Sequence, residues 1–314
     1  QTRRRLATAV RSRLDDFSEG YSRAEVQATL SPEFARKRHP DPAVEGQIED
    51  TWRERVTANS RLFNGTKMRY FCGECLSEPR AVRMSLWLTD YKTYLGADLG
   101  RHVETLLRDG EADHNDPFAY LSRKLGVSAL VRTCDDYIML IRRSHSVAVD
   151  AGMIDCPGGH PEPSEFGWEP RRDDDDNDQK ELGAEKDSQP LLEVFSKKAV
   201  DEIFNSVMNE VRDEINVPLE ALSDPILLGA VHQVPPRTSV SLALFMECKL
   251  SHSKIRALYA QGAAESYEST HLISMRTEKA VAEATACAKD MTVSLRGSLL
   301  LYASHLSQKR RQSL

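Results

Sequence analysis

The sequence has no long hydrophobic segment. No stretch approaches the roughly 18 consecutive apolar residues of a membrane-spanning helix, so we expect no membrane association. The first five residues include three arginines, and no apolar core of a secretory signal follows them. Only six cysteines occur among 314 residues, which is typical of a protein with reduced thiols. These absences predict a cytoplasmic protein, with the nucleus as the alternative compartment.

An excess of positive charge is also missing. The 48 acidic residues outnumber the 42 basic residues, and the formal net charge is −6. Proteins that coat nucleic acids are normally basic, so we expect no nucleic-acid partner. No segment indicates an obligate protein partner, which leaves a small molecule as the expected ligand.

The length and the apolar content predict about two domains. Hydrophobic residues make up 40% of the chain, enough for a sizeable core. The pattern changes near Leu125, so we predict an N-terminal domain over residues 1–125 and a second domain over residues 126–308. Residues 163–190 contain few apolar side chains and a run of four aspartates. We predict a mobile insertion there.

The second half of the chain alternates strand-like and helix-like segments. Residues 127–133 and 137–142 predict a β-hairpin, and residues 191–215 carry apolar side chains at the 3.6-residue spacing of a helix. Two further strands and a C-terminal helix follow, so the fold class is α/β, with a sandwich of helices on a sheet. In the N-terminal part, residues 22–29 predict a helix and residues 80–88 a strand, as in a smaller α+β domain.

Three carboxylates lie close together on the polar face of the helix predicted at 191–215. Glu210 and Glu214 are four residues apart and stack one helical turn above the other, and Asp213 is three residues from Glu210 and adjacent to it in angle. A hard cation such as Mg²⁺ relieves their mutual repulsion, because it prefers oxygen ligands. On spacing alone, a solvated acidic face is the simpler interpretation, since such faces are common in helices.

The residues around these carboxylates resemble a known signature, the Nudix box G-x5-E-x7-R-E-U-x-E-E-x-G-U, where U is a bulky aliphatic residue. Asn209 to Val217 resembles its second half, with Asn209 in the arginine position and Asn216 in the last glycine position. Asparagine keeps access to the left-handed conformation, so we predict a left-handed Asn216 at the end of the helix. Gly159 to Glu165 matches its first half. Glu165 and Asn209 are 44 residues apart where the pattern has eight, so the predicted insertion splits the box. The resemblance implies a Nudix α/β/α sandwich for the second domain.

The resemblance is most specific to the Nudix hydrolases that act on UDP-glucose. It extends from about residue 50 to about residue 302 and includes the block from Asp155 to Pro163 and the segment Leu125-Gly126-Val127. It implies hydrolysis of UDP-glucose, and of UDP-galactose, to UMP and the sugar 1-phosphate. Glu210 and Glu214 are implied as metal ligands for Mg²⁺, with Mn²⁺ as the alternative ion. Asp213 is implied as a further ligand or as the general base, and the sequence leaves that choice open.

The same resemblance implies a substrate site that both domains share. Phe63 and Tyr91 of the N-terminal domain are expected at the uridine end, because a uracil ring suits a flat apolar partner. The guanidinium of Arg143 suits a phosphate. The second domain is expected to contribute the following substrate-binding residues: Arg143, Ala148, Asp155, His160, Glu162 and Ser294.

Two other functions fit the same residues. The first is a Nudix hydrolase for another nucleoside diphosphate derivative, such as ADP-ribose. The second is a catalytically silent module that binds nucleotide sugars, because Asn209 replaces an arginine that usually orients a carboxylate. A substrate panel separates the first from UDP-glucose hydrolysis, and ligand-induced stabilisation without product would indicate the second.

Overall fold

The structure is a computed structural model that describes residues 14–145, 150–168, 189–233, 238–262 and 269–312. The strands in these ranges are β1 (Leu14–Tyr21), β2 (Val26–Leu30), β3 (Thr66–Ser77), β4 (Arg80–Asp90), β5 (Leu125–Thr133), β6 (Tyr137–Arg143), β7 (Ile154–Asp155), β8 (Ile226–His232), β9 (Val240–Cys248) and β10 (Ser269–Arg276). The longer helices are α1 (Pro42–Ala58), α2 (Val103–His114), α3 (Gln189–Ile215), α4 (His252–Tyr259), α5 (Thr277–Thr285) and α6 (Val293–Gln312).

A seven-stranded mixed sheet forms the centre of the molecule. Its strand order is β1-β8-β9-β5-β6-β10, and β7 pairs with β6 off this path. β5 runs parallel to β9 and antiparallel to β6, which confirms the predicted hairpin of β5 and β6. β5 is buried over nearly its whole length, as expected for a strand that is covered on both faces.

Helices cover both faces of this sheet. Val127 and Ala129 of β5 belong to the cluster that packs against α3, whereas Leu130 belongs to the cluster on the opposite face, with α5 and α6. This alternation follows from the two-residue period of a strand. The predicted α/β/α sandwich is therefore confirmed.

The first part of the chain adds a smaller sheet and two helices. The smaller sheet has the strand order β2-β4-β3, and its buried side chains join the cluster against α3. α1 and α2 share a separate cluster around Ile48 and Leu106. β1 pairs with β8 in the large sheet, so the start of the described chain packs with the second half, and the division near Leu125 stays a prediction.

The prediction of a helix at residues 22–29 is wrong. A 3-10 turn occupies Arg23–Glu25, and β2 follows at Val26–Leu30. β2 pairs in parallel with β4, and both of its terminal side chains are buried. Tertiary pairing therefore overrides the local preference of this short segment.

The start of the segment predicted as an insertion is packed against the core. Pro163–Phe166 forms a 3-10 turn, and the buried Trp168 meets Trp87 of β4 edge-to-face with ring centroids 5.4 Å apart. α3 begins at Gln189, and residues 169–188 lie outside the described residues. No helix in the described part of the chain has both the length and the apolar character of a membrane span.

Candidate active site

A cleft of about 850 Å³ opens beside the start of β5. Its lining comes from the C-terminal half of α3, from β3 and β6, from the residues around Tyr91 and Lys124, and from the loop that follows β7. Residues at the start of β9 and of α6 complete it. The cleft therefore collects residues that are far apart in the sequence.

Two adjacent glycines bring this loop against α3. The backbone N–H of Gly158 donates to Glu214 Oε2 at 2.9 Å, and a Cβ on Gly158 would lie 2.3 Å from the carbonyl oxygen of Val127. A Cβ on Gly159 would lie 1.8 Å from Glu210 Oε1. Only glycine leaves room for these close approaches, so the two halves of the split motif meet in space.

The acidic wall consists of carboxylates on α3 and the facing loop. Glu210, Asp213 and Glu202 line the cleft, whereas Glu214 lies behind them and is only 1% exposed. Asp213 accepts from Arg212 Nε and from its second terminal nitrogen, both at 2.7 Å. Burial raises the pKa of Glu202, and the nearby Glu165 and Glu162 add to the rise. Two predicted features of α3 are confirmed: its end at Ile215 and a left-handed Asn216, with φ of 56°.

Arg143 and Asp155 face each other on β6 and β7. Arg143 lies 3.5 Å from Asp155 Oδ2, and Asp155 also accepts from Thr292 Oγ1 at 2.8 Å and from the N–H of Cys156 at 3.0 Å. Burial raises the pKa of Asp155 to about 6, although Arg143 acts in the opposite direction. Asp155 is therefore ionised at neutral pH and protonated in mild acid.

His160 is a neutral residue between several cations. Burial lowers its pKa well below the usual value, and Lys124, Lys67 and Arg143 lower it further. A neutral imidazole offers one donor and one acceptor. His160 is therefore suited to hydrogen bonding and not to carrying charge.

Sequence reasoning missed two lysines of the cleft. Lys67 on β3 holds its Nζ 2.6 Å from Glu162 Oε1. Lys124, which directly precedes β5, is 7% exposed, and its Nζ lies 4.1 Å from the centroid of the Tyr94 ring. The two lysines are 57 positions apart in the sequence, so no spacing signal connects them. Lys124 adjoins the matched segment Leu125–Gly126, which was the one available clue.

Relatives of this chain are named Nudix proteins. It is 34% identical to the mouse protein named "Uridine diphosphate glucose pyrophosphatase NUDT22", over 91% of this chain and 88% of that protein. The human protein of the same name is 31% identical over 90% and 88% of the two chains. "Nudix hydrolase 9" of Arabidopsis thaliana is 34% identical over 81% and 78%. No family model matches the sequence.

The chain belongs to the Nudix hydrolase family. The resemblance predicted from the split box is therefore confirmed, and so is the prediction of a hydrolase. The 31–34% identity extends over residues far outside the box, which explains why a divided motif still leads to the right family.

Nudix hydrolases generally use a divalent metal ion such as Mg²⁺. In the described ranges, no three His, Cys, Asp or Glu side chains converge closely enough to hold an ion by themselves. Glu210 and Glu214 offer carboxylate oxygens, and proteins often bind Mg²⁺ through one or two carboxylates together with water and substrate phosphates. The donor set of this Nudix cleft therefore fits a magnesium ion that is completed by the substrate.

The structure brings together most of the site residues that the sequence predicts. The cleft lining contains Tyr91, Arg143, Asp155, His160, Glu162, Glu210, Asp213 and Ser294. Ser294 accepts from Gln233 Nε2 at 2.8 Å. Phe63 is not in the lining and is 73% exposed, but its loop is joined to Tyr91 through the backbone of Gly65. Ala148 lies outside the described residues.

Proposed function

We propose that this Nudix hydrolase converts UDP-glucose to UMP and glucose 1-phosphate, and UDP-galactose to UMP and galactose 1-phosphate. One observation carries the proposal: a single cleft is lined by carboxylates of the split Nudix box together with Arg143, Asp155 and Tyr91. The relatives named uridine diphosphate glucose pyrophosphatase align with about 90% of this chain at 31–34% identity, and their name supports the same substrate.

We assign the metal-binding role to Glu210 and Glu214. Mg²⁺, or Mn²⁺ as the alternative ion, supplies charge that polarises phosphoryl oxygens and lowers the pKa of a water molecule. Glu210 lines the cleft directly, whereas Glu214 also fixes the glycine loop by accepting from Gly158. Asp213 is held by Arg212 in a bidentate pair, so its role as a ligand or general base requires that this pair open.

The other predicted residues divide between the two ends of the substrate. Asp155 and Glu162 accept hydrogen bonds from sugar hydroxyls, and the neutral His160 bonds to the sugar or to a phosphate oxygen. Arg143 contacts the diphosphate, because a guanidinium pairs well with phosphate oxygens.

At the nucleotide end, Tyr91 offers its ring to uracil, and Phe63 on the adjacent loop has an open face for the same base. Ser294 lies in the cleft lining with a hydroxyl that can bond to substrate. We assign to Ala148 a contact with the substrate through its backbone.

The direct test is product analysis with UDP-glucose, UDP-galactose and ADP-ribose in the presence of Mg²⁺. We expect UMP and the sugar 1-phosphate from the two UDP-sugars and no more than slow turnover of ADP-ribose. Glu210→Gln should abolish most of the turnover, and Glu54→Gln, on the exposed face of α1, should not change it. Faster hydrolysis of ADP-ribose than of the two UDP-sugars would identify ADP-ribose as the substrate instead.

Asn209 supports one competing function. It lines the cleft at the position where the box has arginine, which favours binding of nucleotide sugars without their hydrolysis. Thermal stabilisation by UDP-glucose without any UMP, with Mg²⁺ present, would show that UDP-glucose is a ligand of this protein and not its substrate.

A further inference from the structure

We propose that Lys124, assisted by Lys67, forms a binding site for the diphosphate of the substrate in the cleft that α3 also lines. This inference rests on the proposed function for the identity of the natural ligand. The anion site itself depends only on the side chains of the cleft.

The environment of Lys124 is unusual for a lysine. It is 7% exposed and lines the cleft, yet within the described ranges its ammonium makes no hydrogen bond or ion pair. The rings of Tyr94 and Tyr91 lie 4.1 and 5.8 Å from its Nζ. Burying a cation without a counterion is costly. A ligand that carries negative charge would offset that cost.

Two further cations point to the same ligand chemistry. Lys67 and Arg143 both act electrostatically on Lys124 and on His160. Lys67 and Arg143 each have a carboxylate close by, Glu162 for Lys67 and Asp155 for Arg143. No carboxylate of the described residues forms an ion pair with Lys124, although the buried Asp98 acts on it electrostatically. Three cations that face one cleft repel one another, and a diphosphate with two negative charges relieves this repulsion.

A buried polar network holds Lys124 in place. Asp98 is fully buried and accepts from the N–H groups of Ser122 and Arg123 at 2.8 and 3.0 Å and from Thr238 Oγ1 at 2.7 Å. Arg123 takes a left-handed conformation with φ of 47°, which a residue other than glycine seldom adopts without support. The carbonyl of Lys124 accepts from the N–H of Val240 at 3.0 Å. Asp98 therefore acts as a positioning residue for Lys124.

A role in packing alone explains the burial of Lys124 less well than ligand binding does. A cation over a tyrosine ring contributes about 0.5–2 kcal/mol, and methionine would fill the same space without the cost of burying charge. If Lys124 only packs against Tyr94, Lys124→Met should leave ligand binding unchanged. If Lys124 binds the diphosphate, the same substitution should remove an attractive charge from the ligand.

The test is a titration of the full chain with UDP-glucose in the presence of a chelator, which prevents metal-dependent turnover. We expect Lys124→Met to weaken binding at least tenfold, Lys124→Arg to retain most of it, and Lys254→Met, an exposed control on α4, to change it less than twofold. A twofold change or less in Lys124→Met would overturn the proposal. Melting curves show whether each variant is folded, and Lys67→Met serves as the second test if Lys124→Met does not fold, with a loss of at least threefold expected.

Inorganic pyrophosphate separates this proposal from the proposed function. If the wild-type protein neither binds nor hydrolyses UDP-glucose but binds pyrophosphate through Lys124, the anion site stands and the substrate assignment fails. If UDP-glucose is hydrolysed and Lys124→Met leaves both KM and pyrophosphate binding unchanged, the substrate assignment stands and the anion site fails.

Discussion

The two charged walls of the cleft are built in different ways. The acidic wall comes mainly from one helix, where Glu210, Asp213 and Glu214 follow within five residues. The basic wall brings together Lys67, Lys124 and Arg143 from separate parts of the chain. A helix fixes the angles between its own side chains, whereas the basic wall exists only after the strands have paired. The proposed metal-binding half of the site is thus encoded locally, and the proposed anion-binding half depends on the tertiary fold.

The largest expected effect is on the acidic wall. Glu210→Gln keeps the size of the side chain but removes its charge, so we expect kcat for UDP-glucose to fall by at least about 100-fold. KM and the melting temperature should change little, because Glu210 lines an open cleft. Steady-state assays of UMP release measure this, with Glu54→Gln as the control. An unchanged kcat would remove Glu210 from the metal site.

The next effect tests the contact between the glycine loop and α3. The Cβ of Gly159→Ala would lie 1.8 Å from Glu210 Oε1, so the carboxylate must move and we expect about 10–100-fold lower activity. Gly46→Ala is the matched control, since its Cβ has no atom within 4 Å and alanine favours the helix by about 0.5–1 kcal/mol. Normal activity in Gly159→Ala would show that the position of Glu210 is not critical.

The third effect is a pH dependence of ligand binding by the basic wall. Burial, together with Lys67 and Arg143, lowers the pKa of Lys124 to about 7, although Asp98 acts in the opposite direction. The other groups that face Lys124 are His160 and the rings of Tyr91 and Tyr94. An anion prefers the protonated lysine, so UDP-glucose affinity in chelator should fall several-fold between pH 6 and pH 8.5. In Lys124→Met, the affinity for UDP-glucose should depend less on pH. The same pH dependence in the wild type and in the variant would contradict the role of Lys124.

The same lowered pKa predicts a change in stability. The pKa of Lys124 rises from about 7 in the folded protein to about 10.5 on unfolding. Unfolding therefore takes up a proton between these values, and the free energy of unfolding should rise with pH across that window. Lys124→Met should melt higher than wild type near pH 7, because it removes a buried charge. A lower melting temperature would show that the ammonium stabilises the fold.

The smallest expected effect concerns the nucleotide end. Phe63→Ala should weaken UDP-glucose binding about fivefold, as expected when one aromatic ring that stacks on a base is removed. The melting temperature should not change, because the ring is 73% exposed. Unchanged affinity would leave Tyr91, which lines the cleft, as the aromatic partner of the base.

The parts that the sequence predicts are those with a local pattern. The β5–β6 hairpin, the end of α3 and the left-handed Asn216 follow from periodicity and capping, and all three are confirmed. β2 was mistaken for a helix because its parallel partner, β4, lies more than 50 residues away. Lys124 was missed for a similar reason, since Tyr94 and Asp98 precede it by 30 and 26 residues and come near it only in the folded chain.

The most direct test of the division between the two walls is one set of steady-state kinetics for UDP-glucose hydrolysis with Mg²⁺. It compares wild type, Glu210→Gln and Lys124→Met. We expect Glu210→Gln to lower kcat at least about 100-fold with little change in KM, and Lys124→Met to raise KM about tenfold or more with a smaller change in kcat. The account would be contradicted if the wild type released no UMP, or if both variants kept wild-type kcat and KM.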